Sequence, residues 1–90
     1  MEIEVRRDDD CYVALLDGRP VGSAFIRAQP GRVVFTHTEV APEAEGMGVA
    51  SALIRGALDD VRRQNEHAVP LCPFVAAYLK RHPEYADLVA

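Results

Sequence analysis

Between Val40 and Ala50 the chain passes from an alternating apolar run, through a loop bearing Gly46 and Gly48, into a helix-forming stretch. Few folds accommodate that order. Two glycines one residue apart allow backbone conformations and close approaches that a Cβ forbids. The first N–H groups of the following helix have no intrahelical partner and point back at the loop. Together these features make a cradle for an anion such as the pyrophosphate of a coenzyme, with a tight strand-to-helix turn as the plainer alternative. The stretch is not a Walker loop, because no Gly-Lys-Ser/Thr closes it, and the dinucleotide fingerprint G-x-G-x-x-G fails at Ser51.

The residues before the loop read as strands. Ile3 and Val5 alternate with Glu2, Glu4 and Arg6, giving a half-buried strand that the acidic cluster Asp8-Asp9-Asp10 ends. Tyr12 to Leu16 is apolar and rich in β-formers, and Asp17-Gly18 after it is a strong hairpin signal. The returning strand runs from Val21 to Arg27, with Gly22 marking a bulge or a close backbone approach. Pro30-Gly31 turns the chain into a fourth strand, Arg32 to Val40. Four antiparallel strands are therefore expected in the first 40 residues.

After the loop, Val49, Leu53, Ala57 and Val61 recur at helical spacing, widened by Ile54 and Leu58, while Arg55, Asp59, Arg62 and Arg63 occupy the opposite, solvated face. Asn65-Glu66 is the helix exit. His67 to Leu71 reads as a short strand reached by a right-handed crossover, hence parallel to the fourth strand, and Pro70 confines it to an edge or to a point where pairing stops. Pro73 opens a second helix, along which Phe74, Ala77, Tyr78 and Arg81 are spaced, and Pro83 stops it. The tail from Tyr85 to Ala90 is expected to form a turn or short strand.

Composition narrows the function classes. Ninety residues suit one domain, residues 1–90, and 49% apolar with 27% charged residues is globular usage. A net charge of -4 argues against a nucleic-acid partner held by phosphate neutralisation. No apolar run reaches the roughly 18 residues of a membrane span, and the N-terminus lacks a signal peptide's pattern, so a cytoplasmic setting is expected. Cys11 and Cys72 fit neither a disulfide framework nor a zinc spacing, the three histidines are scattered, and no metal is implied. Cys11 reads as a mid-strand core residue.

The order of four strands, helix, strand and helix, with a glycine loop at the exit of the fourth strand, resembles the GNAT acetyltransferases and more narrowly their compact YjdJ-like subgroup. The residues that carry this are His37-Thr38-Glu39-Val40, Pro42-Glu43, Gly46-Met47-Gly48-Val49-Ala50, Val69-Pro70-Leu71-Cys72-Pro73-Phe74-Val75 and His82-Pro83-Glu84-Tyr85. The resemblance implies an α/β (α+β) fold with a mixed sheet, the fourth and fifth strands splayed apart. It implies acetyl-coenzyme A as cofactor, with Gly46, Met47, Gly48, Val49 and Ala50 on the pyrophosphate through backbone N–H groups. Val40 would pair through its main chain with the pantetheine arm. The family's loop is written [QR]-x-x-G-x-[GA], and Glu43 stands at its first position, which removes a cation near the phosphates. The extra N-terminal helices that form a substrate wall in larger members are lacking.

Acetyl transfer needs a neutral amine, a polarised carbonyl and a proton for the departing thiolate. His37 and Glu39 share one strand face by alternation and are candidate bases, acting directly or through water. Cys72, at a strand end and a helix N-terminus, is the candidate proton donor or transiently acetylated nucleophile. His82 and Tyr85 read as contacts that seat the tail. The expected function is acetyl-coenzyme A-dependent N-acetyl transfer to a protein lysine, a polyamine or a small metabolite, by a monomer or weak homodimer. A coenzyme A binding module without efficient turnover, or a plain interaction domain, are the alternatives.

Overall fold

The computed structural model describes residues 2–90. Its elements are β1 (Ile3–Arg7), β2 (Cys11–Leu16), β3 (Arg19–Gln29), β4 (Arg32–Val40), α1 (Val49–Arg63), β5 (His67–Pro70) and α2 (Pro73–Arg81), with 3₁₀ turns at Pro42–Ala44 and Pro83–Leu88. The five strands form one sheet in chain order. Neighbours from β1 to β4 are antiparallel, and β4 and β5 are parallel, as the turn signals and the crossover length require. Asp17 and Gly18 both take positive φ, 51° and 82°, which is the type I′ geometry that matches the twist of a two-residue hairpin.

The six apolar residues predicted to face inward from α1, Val49, Leu53, Ile54, Ala57, Leu58 and Val61, are each at most 2% exposed. They pack with Tyr12, Ala24, Val33 and Phe35 of the sheet. Two glycines set how closely the layers approach. A Cβ on Gly22 would lie 3.1 Å from the Glu39 carbonyl oxygen and 3.2 Å from Val49 Cγ1, so the predicted close approach is the crossing of α1 over β3. A Cβ on Gly56 would lie 2.6 Å from Val5 Cγ2, and α1 rests directly on β1 there.

Three local expectations change, those for the charged face of α1, Cys11 and Leu71. The charged face of α1 is not wholly solvated: Arg62 reaches Asp87 at 2.9 and 3.1 Å and the Glu84 carbonyl at 2.9 Å, and Tyr85 donates to Asp59 at 2.6 Å. Cys11 is the first residue of β2 and half-buried rather than a mid-strand core residue, because its neighbour Tyr12 takes the face toward α1. The buried residues of α2 are Val75, Tyr78 and Leu79, while Ala77 and Arg81 are exposed and Phe74 half-buried. Leu71 falls outside β5 and is 67% exposed, since Pro70 cannot donate to a continuing ladder. The tail ends as the 3₁₀ turn, and Val89 makes an isolated parallel bridge with Ala68. No helix among the described residues is long and apolar enough to cross a membrane.

Candidate functional site

β4 is nine residues long and β5 only four, and the site begins where that difference opens a gap. Arg32 to Phe35 pair with His67 to Pro70, and the last contact of the two segments is the Cys72 N–H on the Phe35 carbonyl at 2.9 Å. Pro70 before this contact and Pro73 after it each lack an N–H donor, and α2 turns the chain away. β4 continues alone. A register shift between Phe25 and Ile26 makes Thr36 the extra residue of a bulge, and its hydroxyl donates to the Phe25 carbonyl at 3.3 Å. Further on, the Ala41 N–H is bonded to the Val21 carbonyl on the β3 side at 2.8 Å. Alternation then turns the main-chain polar groups of Val40 and Thr38 toward the gap.

The glycine loop closes one end of this gap. Gly46 and Gly48 have φ of 81° and 77°, a region that L side chains rarely adopt, so glycine is required by conformation; a Cβ at either position would meet nothing within 4 Å. Gly48 is the N-cap of α1, with no side-chain cap and no acidic residue in the first turn. The first α-helical bond runs from the Ala52 N–H to the Gly48 carbonyl at 3.1 Å. Among the described residues, no hydrogen-bond partner is found for the N–H groups of Val49, Ala50 and Ser51, which is the arrangement an anion requires. The Met47 N–H already donates to the Ala44 carbonyl at 3.3 Å, and the Met47 side chain is 38% exposed. A cavity of about 330 Å³ runs from Val40 and Phe74 to Gly46, Gly48 and Ser51. Glu45 also lines it.

The candidate acid–base residues divide between the two faces of β4. His37 Nε2 and Glu39 Oε1 are 3.2 Å apart, and both side chains are more than 60% exposed. Phe25 stacks on His37 with ring centroids 6.1 Å apart. Together His37 and Glu39 line a second cavity of about 560 Å³, with Ser23 and Val40. Thr38 points to the other face, where its hydroxyl lies 3.4 Å from Cys72 Sγ. Cys72 is 3% exposed and caps α2 in extended geometry. The structure therefore brings His37 and Glu39 together and sets Cys72 apart from them. Val40 borders both cavities. Thr38 and Phe74 were missed as site residues, although the alternation that placed His37 and Glu39 on one face already assigned Thr38 to the other.

Comparison with known proteins gives consistent results. The family model described as GCN5-related N-acetyltransferase matches residues 11–88. A GCN5-like protein from Staphylococcus aureus, solved in solution by NMR, superposes with a TM-score of 0.72 at 19% identity, covering 97% of this chain and 87% of that one. At that identity the likeness is one of fold. No curated protein matches the chain.

Proposed function

The chain belongs to the GCN5-related N-acetyltransferases, and from that premise we propose that it transfers acetyl from acetyl-coenzyme A to an amine, using the gap between β4 and β5 and the Gly46–Ala50 loop. The observation that carries the reading is the junction of the two features: main-chain groups of Thr38 and Val40 left without a neighbouring strand, next to an uncapped helix start with three unpartnered N–H groups. The first suits an extended amide-bearing arm added as a short strand, and the second suits a pyrophosphate. Such residues fit the coenzyme. Gly48, Val49, Ala50 and Ser51 would hold its phosphates, and Val40 with Phe74 would flank its arm.

When bound, the coenzyme supplies an acetyl group activated as a thioester. On the open side of β4, Glu39 with His37 attracts an ammonium group and takes its proton, directly or through water, leaving the neutral amine that can react. Across the strand, Cys72 sets its Sγ beside the Thr38 hydroxyl. Burial and the contact with Thr38 suit it to hold a proton for a departing thiolate better than to reach a carbonyl as nucleophile. The acceptor is an alkylamine: a protein lysine, a polyamine or a small metabolite.

The exposure of His37, Glu39 and Phe25 favours a second reading, a coenzyme-binding module with little turnover, since nothing in these residues 2–90 walls the acceptor side. Both readings require the loop. In Gly48→Asp a carboxylate enters beside the phosphate position; Asp tolerates positive φ better than most residues, which limits the strain, and circular dichroism checks the fold before binding is measured. Calorimetry on the folded variant is expected to show coenzyme A affinity reduced by at least about a hundredfold. Unchanged affinity would leave the loop a turn and nothing more. Turnover with an alkylamine series, alongside the binding measurement, separates enzyme from binding module.

A further inference from the structure

Among the described residues, the sheet is covered on one face only. Tyr12, Ala24 and Phe35 share a single buried cluster with residues of α1 and α2, whereas Val34, although buried, stands outside that cluster. Register and alternation carry the uncovered face across the strands. Ser23 lies opposite Glu39, Phe25 opposite His37 and Arg27 opposite Val34, and Val34 in turn pairs with Val69. The candidate bases therefore project from the bare face. Beside them runs an apolar strip, Phe25, Val34 and Val69, of which Phe25 is 37% exposed.

Sites for small ligands bury roughly 70–90% of the ligand's surface. Here the side chains of His37 and Glu39 are 61% and 64% exposed, and the cavity they line is bounded only by residues 20–23 and 37–42, from β3, β4 and the turn that follows. A free amine seated there would stay largely in water, whereas a polypeptide brings its own cover. Charge marks where such a chain would run. Arg27 lies four residues along β3 from Ser23, about 13 Å from the Glu39 row at the usual rise of a strand. Arg32 is its diagonal neighbour across the ladder, and among the described residues neither is paired with an acid. The other arginines without an acid partner, and Lys80, lie elsewhere: Arg19 begins β3 at the hairpin turn, and Arg55, Lys80 and Arg81 belong to the helices on the opposite face. In a chain of net charge -4, Arg27 and Arg32 make one positive corner on the bare face.

We infer that the acceptor is a lysine in an extended protein segment laid across this bare sheet face, with its ammonium at Glu39, an apolar side chain on Phe25 and Val34, and an acidic side chain on Arg27 and Arg32. Opposite charge at the two ends of the strip commits it to a segment in which lysine and acid stand about four residues apart, the extended length of about 13 Å. The segment itself then supplies the wall that the acceptor side lacks. The inference rests on the proposed transfer, adds no step to it, and is tested so that the two can fail separately.

The probes are a fluorescein-labelled peptide, Glu-Ser-Leu-Ser-Lys-Ser-Leu-Ser-Glu, its counterpart with Arg in place of each Glu, and N-acetyl-lysine amide as a small amine. The peptide reads the same in both directions, so either orientation on the sheet presents an acid four residues from the lysine. Fluorescence anisotropy measures binding to the full chain, and initial rates with acetyl-coenzyme A measure transfer. The parent should bind the Glu peptide about tenfold more tightly than the Arg peptide, attraction at the positive corner replacing repulsion, and should acetylate it with a kcat/KM at least about tenfold above that of the small amine. Combined Arg27→Glu and Arg32→Glu should reverse the order of the two peptides, while coenzyme A affinity by calorimetry stays within about twofold and so certifies the fold. The inference is overturned if the parent binds both peptides alike, if the variant keeps the parent's order, or if the small amine is acetylated as efficiently as the peptide. It is overturned too if sedimentation shows a dimer of the parent that the paired reversal dissolves, since a second copy then covers this face. If the parent binds coenzyme A but acetylates none of the three, the acceptor inference fails and the coenzyme site stands. If coenzyme A is not bound at all, the proposed transfer fails, and the inference with it.

Discussion

At its C-terminal end α1 is held by side chains from two sides, whereas at its N-terminal end no side chain caps it. Asp59 and Asp60 lie toward the end of the helix where the backbone dipole disfavours negative charge, and each is caught by a tyrosine from another element. Tyr12 of β2 donates to Asp60 at 2.7 Å, and Tyr85 of the tail donates to Asp59 at 2.6 Å. Arg7 of β1 adds a 2.7 Å bond to Glu66 and a 3.5 Å contact to Asp60. Burial pulls the Asp60 carboxyl upward, but the bonds from Tyr12 and Gln64 and the charges of Arg63 and Arg7 hold it below the ordinary carboxylate range. The N-terminal end instead has Gly48 at φ 77° and leaves its orphan donors free, forgoing the roughly 1 kcal/mol a cap provides. Concentrating the fastening at one end of a helix lets the other keep donors open for a ligand without loosening the whole.

The comparison breaks most completely at Tyr12, which is 1% exposed, stacks on Phe35 at 6.0 Å and holds Asp60. Tyr12→Ala opens a cavity and strands the carboxylate, and about 3–5 kcal/mol of stability should be lost. Urea unfolding measures it. A loss below about 1 kcal/mol would mean that the clamp is incidental and α1 is held by its apolar stripe alone.

Alkaline pH should loosen the same end without touching the loop. Burial first, and then the bond to Asp59, push the Tyr85 phenol up to about 12, and burial and Asp60 raise Tyr12 further. The folded state therefore keeps protons that the unfolded chain releases near pH 10, so this stability is complete below about pH 10 and drains away as pH rises toward the folded values. Each tyrosine should contribute about 1 kcal/mol of loss between about pH 8 and about pH 11. Tyr85→Phe begins less stable but should show a shallower decline over that range. An identical slope in parent and variant would sink the assignment to Tyr85.

The two ends also differed in how well they could be read from the chain. Short turns at Asp17-Gly18 and Pro30-Gly31, the inward stripe of α1 and the length of the crossover constrain the sheet so tightly that its order and the direction of every strand were legible. The loop was legible too, because both of its positive-φ positions are glycines. The clamp was not. Arg62 and Asp59 look like any solvated helix face until the tail is known to fold back onto them, and that contact spans more than 20 residues. Gly56 was silent for a related reason: its meaning lies in Val5, 51 residues away, which occupies the space a Cβ would need. The split of the acid–base candidates followed from alternation along β4, whereas the seclusion of Cys72 depended on where β5 stops, a tertiary fact.

The finest test of the contrast is Arg62, the outermost part of the clamp. Its guanidinium makes two bonds to Asp87 and one to the Glu84 carbonyl, and it lies 5.8 Å from the Tyr85 ring centroid. Both charged partners are well exposed, with side-chain exposures of 46% and 63%, so water screens the pair. Arg62→Ala should therefore cost little global stability, less than the loss of Tyr12. Its local effect should be larger than its global one. The tail past Tyr85 is otherwise tied down by the 3₁₀ turn, by Leu88 in the core and by the Ala90 N–H on the Ala68 carbonyl at 3.0 Å. Hydrogen exchange of the Ala90 amide should speed up in the variant as the tail frays, while the amides of α1 near Leu53 keep their protection. Coenzyme A affinity should stay within about twofold of the parent, because the loop lies at the opposite end of the helix. Faster exchange at Ala52 or Leu53, or a coenzyme affinity that falls along with the tail, would show that the two ends of α1 are coupled and that the division between them is not real.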